Sequence, residues 1–433
     1  MRQYKDSGIE WIGEIPETWI KTEVKRLCQK ITDGSHFSPQ TQNEGKVYIT
    51  VSNVYNDKVH VEEAAKISNQ DFENLVANGC QPPVGAVLLS KDGTVGRTAI
   101  VDNNDYVVLS SLGILCPSSH VLSKYLKYLL DSESLQAQMR LAMAGSALRR
   151  ITITKINNLV GLLPSLPEQQ RITNYLDEKC GEIDSLIGLQ EQMIEKLKAY
   201  KQSVITEAVT KGLDPNAKLA PSGIDWIGVI PEGWNITVLR RFANIILGKM
   251  LQPNARSEND SIEQYICAKD VHFEGIDTSD LKKMYFNKTE KEIYQVQKGD
   301  LLVVEGGAGA AGSCVLKTDL PNTYIQNSIM IVRPKQGIDI RYIHYFEFSL
   351  VKKGYVDYVC NKATIPHFTK DKLSSMPIPL PPLSEQQAIA SYLDEKCADI
   401  DRLITLKQRK IEKLKDYKKS VIYEAVTGKT IIE

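Results

Sequence analysis

From Leu176 onward, seam positions recur in alternating steps of four and three: Leu176, Cys180, Ile183, Ile187, Gln190, Ile194, Leu197, Lys201, Val204 and Ala208. That spacing holds one side of an α-helix against a neighbour, as in a heptad seam. The pattern returns at Leu393, Cys397, Ile400, Ile404, Lys407, Ile411, Leu414, Lys418, Val421 and Ala425. The polar members, Gln190 with Lys407 and Lys201 with Lys418, would fix register at some loss of stability. A second apolar line (Leu186, Leu189, Tyr200, Ile205, Val209) widens the face enough for more than one neighbour. Pro167 suits a first helical turn, and Ser384 with Gln387 reads as a capping box. Gly212 with Asp214-Pro215 ends the first run and Gly428 the second. About 39 helical residues would extend ~58 Å. A long helix with one apolar side needs cover, and its own copy is the nearest partner. The expectation is an intramolecular antiparallel pair. Its interface would join Leu176, Ile183, Ile187, Ile194, Leu197 and Val204 to Leu393, Ile400, Ile404, Ile411, Leu414 and Val421.

Outside the helices the pattern changes to short apolar runs closed by glycine-rich turns, which predict buried strands. PPVGAVLLSKDGTVG at 82–96 answers VQKGDLLVVEGGAG at 296–309, and LSSLGILCP at 109–117 answers QNSIMIVRP at 326–334. The chain is a tandem duplication. SGIEWIGEIPETW at 7–19 returns as SGIDWIGVIPEGW at 222–234 with ten of thirteen positions identical. The segment 163–212 returns at 380–429 with 32 of 50 identical, at nearly the same offset, so each half is one copy of a larger unit. Between these blocks the halves diverge. Each half therefore carries a mixed α/β module on a common scaffold, with a dissimilar surface.

Composition narrows the class. The chain has 433 residues, 53 Lys+Arg against 53 Asp+Glu, and 42% hydrophobic positions, which fits two to four domains with real cores. No apolar run approaches the ~20 residues that span a bilayer, and the charged start MRQYKDSGIEW lacks a signal peptide's apolar stretch. The eight cysteines form no CxxC and read as reduced thiols, so a cytoplasmic location is expected. Six scattered histidines argue against a metal centre. Zero net charge gives no global sign of nucleic acid, so such a partner would have to be held by local clusters or jointly with another protein.

Several motifs could carry chemistry. Gly307, Gly309 and Gly312 spell a GxGxxG, but strand and turn follow where a phosphate-binding helix should begin, so a structural turn is expected. Asp177-Glu178-Lys179 and Asp394-Glu395-Lys396 resemble half of a nuclease centre, yet they are expected in the first turns of helices, where acids are favoured in any case. The Pro-Pro pairs in QPPV and LPPL lack the flanks that an amino-methyltransferase needs. No catalytic centre is expected. Polar and basic turns remain as reading surfaces for phosphates and base edges. The candidates are Ser35, His36, Lys91, Thr94, Arg97, Arg149, Arg150 and Lys155 in the first module. In the second they are Lys249, Arg256, Lys269, Lys362, Thr364, His367 and Lys370.

With these motifs in place, the chain resembles the specificity subunit of type I restriction–modification enzymes over essentially its entire length. The carriers are the two SGI-WIG-IPE-W starts, the KGDLL strand with its glycine turn, and LPxLxEQQxI followed by YLDEKC and IEKLK in both copies. The resemblance implies an α+β chain. Two mixed α/β globular target recognition domains are joined by two long antiparallel coiled-coil helices in a pseudo-two-fold tandem repeat. The boundaries expected are 1–165 for the first domain, 166–212 for the first spacer helix, 213–221 for a linker, 222–382 for the second domain and 383–429 for the second helix. It further implies that each domain reads one part of an asymmetric split target in double-stranded DNA. The helices would set the gap, and two methylation subunits and two restriction subunits would dock. S-adenosylmethionine, ATP and Mg²⁺ would belong to those partners, with no cofactor in this chain. GAVLL standing where the second half has GDLLV should alter packing rather than role. A coiled-coil scaffold with protein-binding end modules is the alternative, and a free-standing nuclease a third reading.

Overall fold

The computed structural model describes residues 3–432 apart from 11, 144–148, 308 and 361–366. The chain resolves into two compact units, Met1–Glu191 with Gln408–Glu433, and Gln192–Lys407. Each unit carries a four-stranded antiparallel sheet. In the first, β1 (Cys28–Asp33), β2 (Val87–Ser90), β3 (Thr98–Ile100) and β4 (Leu112–Pro117) lie in the order β3-β2-β4-β1. In the second, β5 (Ala243–Leu247), β6 (Leu301–Val304), β7 (Ser313–Val315) and β8 (Ile329–Pro334) lie in the equivalent order β7-β6-β8-β5. The predicted strands are central and wholly buried at VLLS and LLVV, which is why they read as unbroken apolar runs. A three-stranded sheet accompanies each, containing the parallel pairs Lys46–Ile49 with Tyr106–Val108, and Ser261–Ile266 with Thr323–Ile325. Gly307, Gly309 and Gly312 fall between the two strands of the antiparallel β6–β7 hairpin, as their strand-like flanks predict.

Four helices matter for function: α1 (Ser123–Asp131), α2 (Leu166–Lys211), α3 (Ile340–Lys352) and α4 (Leu383–Val426). α2 and α4 are the two long helices foreseen from the heptads. Gly212 and Gly428, at φ 75° and 74°, turn the chain just beyond their ends. Within the first unit, Ile172, Leu176, Cys180 and Ile183 of α2 share a core with Val421, Ile422, Ala425 and Val426 of α4. Within the second, Ile205, Ala208 and Val209 meet Ile389, Leu393 and Cys397. Early residues of one helix thus meet late residues of the other, so the pairing is antiparallel. All twelve seam residues named above are buried or half-buried. The polar seam lysines find acids across the pair: Lys418 Nζ lies 2.8 Å from Asp184, and Lys201 Nζ 2.7 Å from Asp401.

The capping expectation needs correction. α4 already begins at Leu383, so Ser384 lies inside its first turn, and the Pro382 carbonyl accepts the first helical bond, from Gln386 N. A side-chain cap occurs instead at α2, where Glu168 Oε2 accepts from Ser165 N at 3.3 Å and from Ser165 Oγ at 3.0 Å.

The repeated motifs meet one another. Trp19 Nε1 donates to Glu168, and Trp234 Nε1 to Glu385, each at 3.2 Å. Gln169 and Gln386, both buried, cap the segments leading into α1 and α3 by accepting from Leu122 N and Asp339 N. Asp177 accepts from Tyr128 Oη and Asp394 from Tyr345 Oη, both at 2.8 Å. The acids that resemble part of a nuclease centre lie eleven residues beyond the starts of the long helices rather than in their first turns, and they fasten those helices to α1 and α3. The GAVLL/GDLLV departure is also a packing change. Buried Asp300 holds Arg333 by two bonds of 2.8 and 2.7 Å, whereas Ala86 and Cys116 occupy the corresponding places in an apolar cluster. A buried ion pair and a hydrophobic pair are near-equivalent solutions.

Candidate nucleic-acid interface

Four segments converge at one end of the large sheet in each unit and form a crown. They are the chain after β1 or β5, the turn after β2 or β6, the connector into β4 or β8, and a strand-like stretch before a short helix. The same backbone bonds build both crowns. Ser35 N donates to Val108 O and Ser110 N to Ser35 O; Lys249 N donates to Ile325 O and Asn327 N to Lys249 O. Lys91 N donates to Ser111 O and Ile151 N to Lys91 O; Glu305 N donates to Ser328 O and Phe368 N to Glu305 O. Bridges between Asp92 and Arg150, and between Gly306 and His367, complete the match. The scaffold is common, and what it displays differs.

In the first crown, basic and acidic residue types alternate along a contact path. His36 Nε2 lies 3.3 Å from Asp33, Lys91 Nζ 3.1 Å from Asp33 and 3.9 Å from Asp92, and Arg150 Nε 3.0 Å from Asp92. Arg149 and Thr94 are exposed beside it, with Arg149 O accepting from Gly93 N. Ser35 is buried. Arg97 leaves the crown and donates to Val54 O at 3.4 Å, and Lys155 turns to Ala142 O. In the second crown, Gln326 Oε1 accepts from Ser328 Oγ at 2.5 Å, Ser328 Oγ accepts from Ala268 N, and His367 is exposed beside Gly306. Lys269 follows Ala268 and lies 3.5 Å from Asp280; Arg256 and Lys370 are exposed, and Lys362 and Thr364 lie outside the described residues.

Two candidates need re-reading. Lys91 is 1% exposed and Lys249 7%, and both are neutralised internally, Lys249 by Glu290 and the Tyr285 carbonyl at 2.9 Å. A buried, paired ammonium holds loops together and cannot reach a phosphate. Sequence reasoning missed the acids Asp33 and Asp92 and the polar connectors Ser110-Ser111 and Gln326-Asn327-Ser328. The only signal was the polar start of LSSLGIL and QNSIMIV.

One further cluster joins residues far apart in sequence. Ser313 Oγ lies 3.1 Å from His344 Nδ1 and is hydrogen-bonded to Glu347, whose Oε1 is buried without a partner. Burial lowers His344 to a pKa of about 3 and raises Glu347 to about 8, so both are neutral near pH 7. The hydroxyl is enclosed between its two neighbours, and the trio ties β7 to α3. Thr98, Asp131 and Lys127 do the same with charges in the first unit.

The long helices keep apolar residues uncovered in this chain. Leu186, Leu189 and Tyr417 are 43–57% exposed in the first unit, as are their counterparts Leu403, Leu406 and Tyr200 in the second. From the second apolar line, Ile205 and Val209 enter the module core, whereas Leu186, Leu189 and Tyr200 face water. Among the described residues no helix is long and apolar enough to cross a membrane, and no His/Cys/Asp/Glu group could hold a metal ion.

Comparison with known proteins points one way. Residues 16–199 and 231–416 match the type I restriction modification DNA specificity domain. The chain is 26% identical over 450 residues to the type I restriction enzyme MjaVIII specificity subunit of Methanocaldococcus jannaschii, covering 99% of this chain and 97% of that one. It is 22% identical over 444 residues to the EcoKI specificity subunit of Escherichia coli, with coverages of 96% and 90%. The HsdS subunit from Thermoanaerobacter tengcongensis shares the fold at 17% identity and a TM-score of 0.51, covering 96% and 98%. A chain solved in work on complex assembly and conformational transition of the type I R-M system does so at 17% identity and 0.70, covering 96% and 99%.

Proposed function

Because the chain belongs to the type I restriction modification DNA specificity family, we propose that it is the non-catalytic reader of a restriction–modification complex, in which each crown reads one half of an asymmetric bipartite DNA target. The observation that carries this reading is a shared backbone crown bearing unlike side chains. An identical frame presents both surfaces in the same way, and different donors and acceptors select different base edges. The long helices set the number of unspecified base pairs between the halves. Their exposed Leu-Leu-Tyr sets are the docking places for two methylation subunits, and two restriction subunits join through those. S-adenosylmethionine, ATP and Mg²⁺ act in the partners, in the cytoplasm. Sharing phosphate neutralisation with the partners accounts for the neutral chain, so DNA binding by the chain alone is expected to be weak and that by the assembly tight and salt-dependent.

The test is an exchange. Residues 20–162 are replaced by those of a relative with another specificity, and methylated positions in host DNA are mapped. One half of the target should change while the other stays. An unchanged methylation pattern would favour a protein-binding scaffold, and cleavage without partners a nuclease.

A further inference from the structure

The crowns share an apolar feature that the polar reading leaves unused. Gly34-Ser35-His36-Phe37-Ser38-Pro39 and Gly248-Lys249-Met250-Leu251-Gln252-Pro253 align without a gap on glycine and proline, inside modules that are otherwise unlike. The glycine seats the loop directly on the connector. A Cβ at 34 would stand 2.0 Å from Val108 O, and one at 248 would stand 2.3 Å from Gln326 O, so no other residue fits without moving backbone. Beyond the root, each loop is tied again. Ser35 Oγ accepts from Phe37 N at 3.0 Å and donates to Phe37 O at 2.5 Å. Gln252 Nε2 donates to Asp260 Oδ2 at 3.0 Å, and its carbonyl accepts from Tyr285 N at 3.0 Å.

Despite this anchoring, the tips face water: Phe37 is 64% exposed, Met250 74% and Leu251 55%. Scattered exposed apolar residues are ordinary. Here Phe37 and Leu251 fall at the same register of one backbone device, with Met250 beside Leu251 where the first loop has His36, in two sequences that agree on little else. Resting on the DNA-reading role above, we propose that Phe37 in the first unit, and Met250 with Leu251 in the second, make apolar contact with target bases and determine sequence at positions the polar crown does not read.

Charge and chemistry select the occupant. His36, next to Phe37, begins the contact path that ends at the Arg150 guanidinium, both exposed, so polar hydrogen-bonding groups border the first tip. An apolar tip gains nothing from a phosphate. In duplex DNA its partners are the thymine methyl group or the faces of an opened base step. A loop already fixed by its glycine root and side-chain ties loses little freedom on contact.

The experiment assembles the full chain with its methylation subunits and measures methylation of duplex libraries with randomised half-targets. Phe37→Ser should reduce discrimination about tenfold at one or two positions of one half-target, leaving the other half and the salt slope as in the parent. Met250→Ser with Leu251→Ser should do the mirror image. Phe37→Leu keeps apolar bulk and should retain most of the preference. Unaltered preference in Phe37→Ser, while the parent selects a sequence, overturns this inference alone. So does loss of the methylation subunits from the variant complex, which would make the tip a protein contact. A parent assembly that selects no sequence would instead sink the DNA-reading role itself.

Discussion

Glu347 and His344 show how single residues tune the second unit. Burial holds both neutral in the folded state, moving Glu347 from 4.5 to about 8 and His344 from 6.5 to about 3. Between pH 3 and 6.5 the unfolded histidine binds a proton that the folded one refuses, so stability rises with pH. Between pH 4.5 and 8 the folded glutamic acid keeps a proton that the unfolded one releases, so stability falls as pH rises. The two slopes cancel from 4.5 to 6.5, and for these groups stability is greatest there. Glu347→Gln should remove the alkaline decline, worth roughly 2 kcal/mol between pH 6.5 and 8. Thermal unfolding at both pH values checks it, and an equal decline in the variant would place the effect elsewhere.

At the scale of elements, the long helices are pinned by cross-pair ions whose surroundings differ. Lys201 is nearly enclosed, with a side chain 10% exposed that lies 4.8 Å over the Phe273 ring and 3.9 Å from Glu274 on a short hairpin. Lys418 is 22% exposed and lies 3.9 Å from Asp57, on the equivalent hairpin. Each lysine thus ties a hairpin of its module to the helix pair. Lys201→Ala loses ring contact and a pair whose lysine is enclosed while Asp401 stays 39% exposed, and should cost about 1–2 kcal/mol. Lys418→Ala loses a wetter one and should cost about 1 kcal/mol or less. Denaturant unfolding should rank them in that order, and the reverse ranking would contradict the packing argument.

For the whole molecule, the repeated segments build the frame and the divergent ones the crowns. The helix register is fixed twice, since Lys201 lies 17 positions beyond Asp184 and Lys418 the same number beyond Asp401. Removing residues 187–193 alone makes the two ion pairs mutually incompatible, and should abolish assembly or strongly destabilise the chain. Removing 187–193 together with 404–410 keeps both pairs compatible, and should yield an active assembly whose target has a shorter unspecified gap. Methylation mapping reads the difference. A single deletion that left stability and target intact would show that the register is not fixed this way.

The sequence by itself determined the duplication, the heptad helices with their antiparallel pairing, and the buried strands with their glycine turns. Each is written in periodicity or self-similarity, which neighbouring residues carry. It could not sort the candidate readers. Lys91 and Arg150 look alike as basic loop residues, but Asp33 and a closed sheet end bury the first while the second stays in water. Nor could it find the Ser313–His344–Glu347 trio or the apolar tips, because burial and exposure are set by partners distant along the chain. Periodicity is a local property, whereas the solvent around a loop side chain is decided only when the remote segments of the crown have packed.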